Sequence, residues 1–348
     1  MRLNSTDAHA LAQNESHTAA GDSGAIIDIV IVNYNTRALL RQCLDSIAAT
    51  CDLTPPFRTH VVDNGSSDGS DEMVRTEYPN VQLISLPENI GFGPANNRGV
   101  AAGNGDFLLF LNSDAQLAPG ASDRLFANIM IDEKRIAVGP RLVYPDGRFQ
   151  ASCRRFPTPL RNFWSVSGLQ SRFPKRFRSL HNWLTEEEHQ QATQVDMVSG
   201  ACFMMRRSYL DAIGGFDEDI FLYEEEMDLF LPARRKGLEV HYCPEAVVIH
   251  RHGGSVSGGV SDLSRFHLYR SKYKCFRKHY GAFASWTTHL LDAAVFAASA
   301  TIACLGRRRN DAAHKFSLCR RAYAASSVPI AELKRQRSVQ DSDARARS

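Results

Sequence analysis

Apolar positions in the first third of the chain fall into short runs divided by polar turns. Residues 25–32 read Ala-Ile-Ile-Asp-Ile-Val-Ile-Val, a β-branched run that predicts a buried strand. From Thr36 to Thr50 the spacing changes. Leu39, Leu40, Cys43, Leu44 and Ile47 recur with the helical period, and Thr36 is placed to cap the segment. Residues 58–62, 81–86 and 106–111 predict three further strands, with a glycine-opened turn and helix over 91–102 between the last two. Strand and helix in this rhythm predict an α/β fold, a mostly parallel doubly wound sheet with helices on both faces. Ligands of such sheets lie beyond the carboxyl ends of the strands. Three polar loops follow the strands there: Asn33-Tyr34-Asn35, Asp63-Asn64 and Asn112-Ser113-Asp114.

The second half is patterned differently. Residues 151–184 carry seven basic side chains and no acidic one, with Phe156, Phe163, Trp164, Phe173, Phe177 and Trp183 interleaved. Residues 195–207 predict a strand or strand pair around Ser199-Gly200-Ala201. An acidic stretch, 216–228, leads into a helix ending at Gly237, although Pro232 breaks its regularity. Two short strands are expected at 239–241 and 246–250, and a basic, aromatic helix at 263–280, ended by Gly281. Residues 283–305 are mostly apolar but interrupted by His289 and Asp292, and the clean run from Ala293 to Leu305 is 13 residues long. A membrane span needs about 20. This run is therefore expected to pack against the domain or to lie in a membrane interface.

Composition narrows the class. The chain has 348 residues, 43% hydrophobic and 23% charged, enough to bury a core and too apolar for a disordered protein. Residues 1–25 are polar and aperiodic and are expected to be disordered, with no signal-peptide core. None of the eight cysteines forms a C-x-x-C pair, which excludes metal ribbons and thioredoxin-type redox sites and reads as reduced thiols in the cytoplasm. Net charge is +3, but residues 307–348 hold 11 Lys and Arg against 4 Asp and Glu. A basic end of this kind suits an anionic surface such as a membrane; no nucleic-acid module accompanies it.

Several positions carry candidate chemistry. A carboxylate at a strand end, Asp63, can pair with the edge of a nucleobase, while the Gly and Ser that follow let the backbone approach; Asp-Asn-Gly-Ser is also ordinary turn chemistry. Asp114, fixed at the end of an apolar strand, suits a hard divalent cation, which needs only one or two protein oxygens when a diphosphate supplies the rest. Glu224, Glu225, Glu226 and Asp228 cluster at helical spacing, and clustered acids raise one another's pKa, which suits a general base. His250-Arg251-His252 beside Gly253-Gly254 suits metal or diphosphate contact.

Taken in order, the motifs Val32-Asn-Tyr-Asn35, Val62-Asp-Asn-Gly-Ser66, Asn89 to Gly99, Leu111-Asn-Ser-Asp114, Ser199-Gly-Ala201, Gly214 to Glu218, Tyr223 to Leu229 and His250-x-x-Gly-x-Ser255 resemble family-2 glycosyltransferases, nearest the bacterial rhamnosyltransferase-like branch. The resemblance covers about residues 26–281. It implies a GT-A fold, with a nucleotide-sugar half over 26–120, an acceptor half over 121–281, and a helical, basic C-terminal extension over 282–348. It implies that Asn33, Asn35 and Asp63 line the nucleotide pocket, that Asn96, Asn97 and Arg98 lie beside the donor, and that Asn112 and Asp114 occupy a D-x-D position, with Asp114 and His250 as the contacts of Mg²⁺ or Mn²⁺. The base position falls on Glu226, beside Glu225, where the family usually has Glu-Asp. Pro232 falls where an Arg is common.

The implied reaction is inverting transfer of a sugar, rhamnose first, from a dTDP- or UDP-sugar to a hydroxyl of a glycan or lipid-linked glycan in cell-surface polysaccharide synthesis. Such an acceptor places the enzyme in the cytoplasm, peripherally on the inner face of the membrane. The 151–184 and 265–280 segments, both basic and aromatic, are the expected docking elements. Three rivals were weighed. A dinucleotide-dependent oxidoreductase needs a G-x-G-x-x-G loop after the first strand, where this chain has Asn-Tyr-Asn-Thr-Arg. A nucleotidyltransferase would want an early Gly- and Arg-rich loop for a triphosphate. A non-catalytic sugar-nucleotide-binding or scaffold protein with a degenerate site is motivated by Asn112 and Glu226.

Overall fold

Strand β1 (Ile27–Asn33) is buried along almost its whole length, and its neighbours explain why a run of β-branched residues sits there. It pairs in parallel with β2 (Phe57–Asp63) on one side and with β4 (Phe107–Leu111) on the other; β3 (Gln82–Ser85) adds to β2, again in parallel. The computed structural model describes residues 25–49, 56–174, 176–251, 261–305, 312–333 and 335. The expected 1–25 tail, apart from Ala25, the Arg307-Arg308-Arg309 cluster and the basic end beyond 335 lie outside the described residues.

The sheet continues through the second half of the chain in the order β3-β2-β1-β4-β11-β6-β12-β5. Here β11 (Cys202–Arg206) runs antiparallel to both β4 and β6 (Arg135–Val143), and β12 (Glu239–His250) then pairs in parallel with β6. The GT-A prediction of a mostly parallel sheet holds in the first half, and the antiparallel β11 stitches the halves together. The short strand β5 (Ala115–Leu117) closes the far edge against β12. The two strands expected at 239–241 and 246–250 are one strand, β12, with a register shift between Cys243 and Val247. Pro244 lacks an amide hydrogen, so the ladder slips at that point and resumes.

Strand alternation divides the core. On β4, Phe107, Leu109 and Leu111 face one layer, while Leu108 and Phe110 face the other. The first layer is covered by α1 (Arg37–Ala48), α2 (Ser70–Glu77) and α4 (Ala121–Ile129) through Leu40, Cys43, Leu44, Met73 and Leu125. The second is covered by α3 (Phe92–Ala101), α7 (Arg207–Ile213) and α8 (Glu225–Arg235) through Val100, Tyr209, Leu210, Met227 and Leu229. Truncating Phe110, wedged against Phe203 and Phe216 with ring centroids 4.9 and 5.2 Å away, would cost about 3–5 kcal/mol. Cys43, Cys153, Cys202, Cys243, Cys275 and Cys319 are free and buried. Between β6 and β11 lie β7 (Phe149–Gln150), β8 (Cys153–Arg154), α5 (Pro159–Val166), α6 (Leu169–Arg172), β9 (Thr193–Val195) and β10 (Met197–Val198).

Three C-terminal helices follow: α9 (Asp262–Tyr280), α10 (Ala282–Leu305) and α11 (Ala312–Ala325), each packed on the other two. The expectation that α9 presents its basic face to a membrane is overturned. Arg270 is fully buried and donates to the backbone carbonyls of Asp219, Ala325 and Val328. Lys272 pairs with the buried Asp292 of α10, Lys274 with Asp219, and Lys278 with Asp217 and Asp228. These partners lie 20 to 61 positions away along the chain, so local sequence made an internal clamp look like a basic surface. Among the described residues no helix is long and apolar enough to cross a membrane.

Candidate active site

The carboxyl ends of β1, β2 and β4 bring the three polar loops together, and hydrogen bonds show how. Asn33 is fully buried, and its amide donates to Asp63 Oδ1 at 2.9 Å and to Ser66 Oγ at 3.1 Å. Asp63 Oδ2 accepts the Ser66 N–H at 2.9 Å. Asn35 takes a left-handed φ of 54° that Asn tolerates, and its Oδ1 accepts the Ser67 N–H at 2.8 Å. Asn33, Asn35 and Asp63 therefore brace the first two loops against each other. Thr36 caps nothing with its side chain: its hydroxyl donates to Asn33 Oδ1 at 2.6 Å and meets Ser113 Oγ at 2.8 Å, tying the first loop to the third.

Asn96, Asn97 and Arg98 sit on α3 and are engaged with the chain itself. Asn96 donates to the Phe92 carbonyl, and Asn97 clamps Phe216 through both its N–H and its carbonyl at 2.9 Å each. Arg98 pairs with Glu218 at 3.3 Å. The helix opens at Gly91, whose φ is 105°; a Cβ there would stand 2.7 Å from the Phe221 carbonyl oxygen. These contacts fasten α3 to the segment leading into the acids.

Asp114 follows β4, and its Oδ1 lies 3.2 Å from His250 Nε2 at the end of β12. Pairing of His250 with Ala115, and the Arg251 N–H donated to the Asp114 carbonyl at 3.0 Å, set that approach. Gln150 Oε1 lies 3.0 Å from His250 Nδ1. An amide oxygen there accepts a hydrogen bond from Nδ1–H and leaves the Nε2 lone pair facing the carboxylate. A divalent cation between them satisfies both, and Gln150 is the outer partner such a ligand histidine usually has. Asn112 Oδ1 is buried with no hydrogen-bond partner among the described residues. No group of three or more His, Cys, Asp or Glu that could hold an ion occurs among them. The donor set thus fits a cation that takes its remaining ligands from a diphosphate.

The acids converge from the other side. Tyr223 and Glu224 adopt left-handed φ values of 69° and 68° in succession, a conformation that costs non-glycine residues about 1–3 kcal/mol each and clusters at functional sites. The turn starts α8 at Glu225 and sends the acids apart. Glu224 Oε1 meets Arg154 Nη2 at 3.5 Å. Glu225 is buried with Oε1 unpartnered, and burial, followed by the Glu226 charge, pushes its carboxyl well above the usual range. Glu226 is half-buried, and its Oε1 accepts the Gly200 N–H at 2.8 Å, which leaves Oε2 outside that bond. Any Cβ at Gly200 would lie 2.8 Å from that Oε1, so the Ser-Gly-Ala motif supplies a naked amide. Asp228 pairs with Lys278 and His279; burial raises its carboxyl, but those bonds outweigh burial and hold it below the usual range.

The chain that carries this arrangement is matched by known proteins. A model described as glycosyl transferase family 2 matches residues 28–214, more than half the chain. The chain belongs to glycosyl transferase family 2. The N-acetylglucosaminyl-diphospho-decaprenol L-rhamnosyltransferase of Mycobacterium tuberculosis is 30% identical over 236 residues, covering 65% of this chain and 76% of that one. The low-salt glycan biosynthesis hexosyltransferase Agl10 of Haloferax volcanii is 24% identical over 64% of this chain and 66% of its own. Among solved structures, the mannosyltransferase PcManGT of Pyrobaculum calidifontis, in complex with GDP-Man and Mn²⁺, superposes with a TM-score of 0.51 at 18% identity, over 87% of this chain and 86% of that one. The last likeness speaks to the fold alone, which is GT-A.

Four contributors to this family-2 glycosyltransferase site escaped the sequence. Arg154 and Trp183 were read as parts of a basic, aromatic interfacial segment. Instead the Arg154 guanidinium lies 5.2 Å from the Trp183 ring centroid and reaches inward to Glu224. Gln150 carried no motif. The Gly200 amide was marked only as part of Ser-Gly-Ala. The one local signal for Arg154 was a cation in a segment without acids, whose partner had to come from elsewhere.

Proposed function

We propose that this enzyme is an inverting transferase that moves a sugar, rhamnose first, from a nucleoside-diphosphate donor to a hydroxyl of a lipid-linked glycan in cell-surface polysaccharide synthesis. The observation that carries this is Glu226, held by the Gly200 N–H across the site from the Asp114–His250 pair. The relative from Mycobacterium tuberculosis, named for a diphospho-decaprenol acceptor and rhamnosyl transfer, supports the acceptor class and the sugar. On this reading residues 26–120 hold the donor, with Asp63, Asn33, Asn35 and Asn112 at the nucleotide and Asn96, Asn97 and Arg98 behind it; residues 121–281 hold the acceptor, and 282–348 form the extension.

Glu226 Oε2 takes the proton of the acceptor hydroxyl as that oxygen bonds to the anomeric carbon. The bond from that carbon to the diphosphate oxygen breaks in the same step, and the nucleoside diphosphate leaves. Asp114 and His250 would hold Mg²⁺ or Mn²⁺, which supplies charge neutralisation at the leaving diphosphate; GalNAc-T7, solved with UDP, GalNAc and Mn²⁺, supports that metal class. Fixed placement of both sugars supplies much of the rest. The test is a screen of dTDP-rhamnose and UDP-sugars against a short-chain N-acetylglucosaminyl diphosphoryl prenol, with Mn²⁺ or EDTA, for wild type and Asp114→Ala. Transfer lost in both EDTA and the variant is expected. Full activity in EDTA removes the metal, and nucleotide binding without transfer from any donor favours the scaffold reading.

A lipid-linked acceptor places the enzyme peripherally on the cytoplasmic face of the membrane. Support comes from α10: Ser285, Thr288, Asp292 and Phe296 face inward, while Phe283, Trp286, Leu290, Ala294 and Ala297 form an exposed, uncharged stripe. Exposed Arg172 and Arg176 flank the exposed Phe173 and Phe177 near by, on the chain following α5, which α10 packs against. Co-sedimentation with anionic vesicles at low salt should fall sharply in Phe283→Glu/Trp286→Glu; equal pelleting of both proteins removes this stripe as the docking face.

A further inference from the structure

The turn that launches the acids is held by a helix that the sequence assigned to membrane docking. Tyr223 and Glu224 both take left-handed φ values, and such backbone persists only where its surroundings over-determine it. Two side chains of α9 flank the pair. Ser271 Oγ donates to the Leu222 carbonyl at 2.8 Å, just before it, and Cys275 Sγ donates to the Glu224 carbonyl at 3.7 Å, at its end. Both side chains are fully buried. A serine inside a helix ordinarily turns to solvent or to the carbonyl four residues back; Ser271 reaches across to another segment instead. Burial, followed by the nearby Asp228 charge, raises the Cys275 thiol well above its ordinary range, so it stays protonated and remains a donor.

Ser271 and Cys275 belong to a longer row. His267, Arg270, Ser271, Lys274, Cys275 and Lys278 recur at three- and four-residue spacing, which puts them on one face of α9. All six meet the stretch 217–224. The His267 ring stacks on Phe221 with centroids 4.3 Å apart, and Arg270 donates to the Asp219 carbonyl at 2.6 Å. Lys274 pairs with Asp219 at 3.0 Å and Lys278 with Asp217 at 2.8 Å. The chain beyond α11 joins in: the Ile330 N–H donates to Asp219 Oδ1 at 2.9 Å, and Arg270 also reaches the Ala325 and Val328 carbonyls. The start of α3 holds the same stretch through the Phe92 N–H, donated to the Phe221 carbonyl at 2.8 Å.

We propose that Ser271 and Cys275 are positioning residues for Glu226: they fix the Tyr223–Glu224 turn, and with it the register in which α8 presents the base to the Gly200 N–H. This rests on the transferase reading and adds α9 to its machinery. Glu226 is two residues past the turn, so a small rotation there swings its carboxylate away from the amide that holds it. A misplacement of about 1 Å can cost about 100-fold in rate. Neither side chain touches a substrate; both act through the backbone that carries the base.

Tyr273 supplies the control. It stands between Ser271 and Cys275 in the sequence but packs among Phe296, Leu318 and Ala322, where its hydroxyl donates to Asp292 Oδ2 at 2.8 Å. Two measurements on the full chain test the proposal: amide hydrogen exchange over residues 222–228, and transfer from dTDP-rhamnose to the prenyl-linked N-acetylglucosaminyl acceptor. Ser271→Ala should speed that exchange and lower kcat about 10-fold, and Ser271→Ala/Cys275→Ala should lower it about 100-fold, with donor KM within twofold of wild type. Tyr273→Phe should unfold at lower urea and change neither the exchange over 222–228 nor kcat. Wild-type kcat in the double variant, whether or not exchange speeds up, overturns the proposal while the transferase reading stands. So does a Tyr273→Phe protein that loses kcat equally, since any loosening of the helices would then do the same. A wild type that transfers from no donor removes the transferase and the role of the base with it; faster exchange in Ser271→Ala than in Tyr273→Phe would then leave the brace on the turn standing alone.

Discussion

Asp28 and Glu225 are both buried carboxyl groups, at opposite ends of the same sheet, and they are treated oppositely. Asp28 enters β1 at the edge far from the three polar loops. It receives the Gly105 N–H at 2.6 Å, Arg207 at 2.8 Å, Arg58 at 3.1 Å and His60 at 3.2 Å. Burial alone would raise its carboxyl, but these bonds and charges bring it down to about 2. Glu225 opens α8 at the other edge with one oxygen unpartnered, and its charged neighbours Glu224, Glu226 and Asp228 all repel a second negative charge. A buried acid ringed by cations holds a fold together. A buried acid ringed by acids resists ionisation in a way that folding alone does not explain, and such sites concentrate at functional edges. Asp228 sharpens the contrast, because it stands three residues from Glu225 on the same helix and is satisfied by Lys278 and His279.

The largest effect expected lies next to Glu225. Glu226→Gln keeps the size of the side chain and its acceptor for the Gly200 N–H but cannot take a proton. Transfer should fall by roughly 10²–10⁴ in kcat, with nucleotide affinity within a few-fold of wild type, the usual range for loss of a general base. If Glu225→Gln is instead the inactive protein and Glu226→Gln the active one, the base has been assigned one residue too late.

Next in size is the structural acid. Asp28→Ala leaves the Arg207 and Arg58 charges and the Gly105 amide without their common acceptor. Removing one member of a buried charge cluster costs about 3–5 kcal/mol. Urea unfolding should shift by that amount, with acceptor and donor KM unchanged in the folded fraction. A midpoint equal to wild type would mean that solvent at this edge already meets those cations.

This contrast marks what the sequence could disclose. The strand–helix rhythm, the three loops and the order of the motifs were legible because each is local: β-branched runs, strand ends and helix starts carry their signals within a few residues. Asp114 and His250 were paired through the resemblance, and β12 brings them to 3.2 Å. Partnerships across the fold were not legible. Nothing near Asp28 in the sequence marks its partner, because Arg207 is 179 positions away. Arg154 looked like a surface cation because Glu224 is 70 positions away, and the α9 lysines looked membrane-facing because their acids arrive only on folding.

The smallest effect separates the two acids by the sign of their pH dependence. The folded Asp28 carboxyl sits near 2, below its unfolded 3.8, so it contributes stability that is whole above about 4 and is lost as pH falls toward 2. Glu225 is shifted the other way from 4.5. Once pH rises above 4.5 the unfolded chain releases this proton while the folded chain keeps it, so the folded state binds more protons and loses stability as pH rises further. Glu225→Gln resembles the neutral acid in shape and does not titrate. Its unfolding free energy should match wild type near pH 4.5 and exceed it by a margin that grows as pH rises toward 7. A variant that runs parallel to wild type from pH 4.5 to 7 would show that Glu225 ionises in the folded protein as freely as in the unfolded one. The unpartnered oxygen would then have to be met by solvent, and the contrast with Asp28 would collapse to a difference in partners alone.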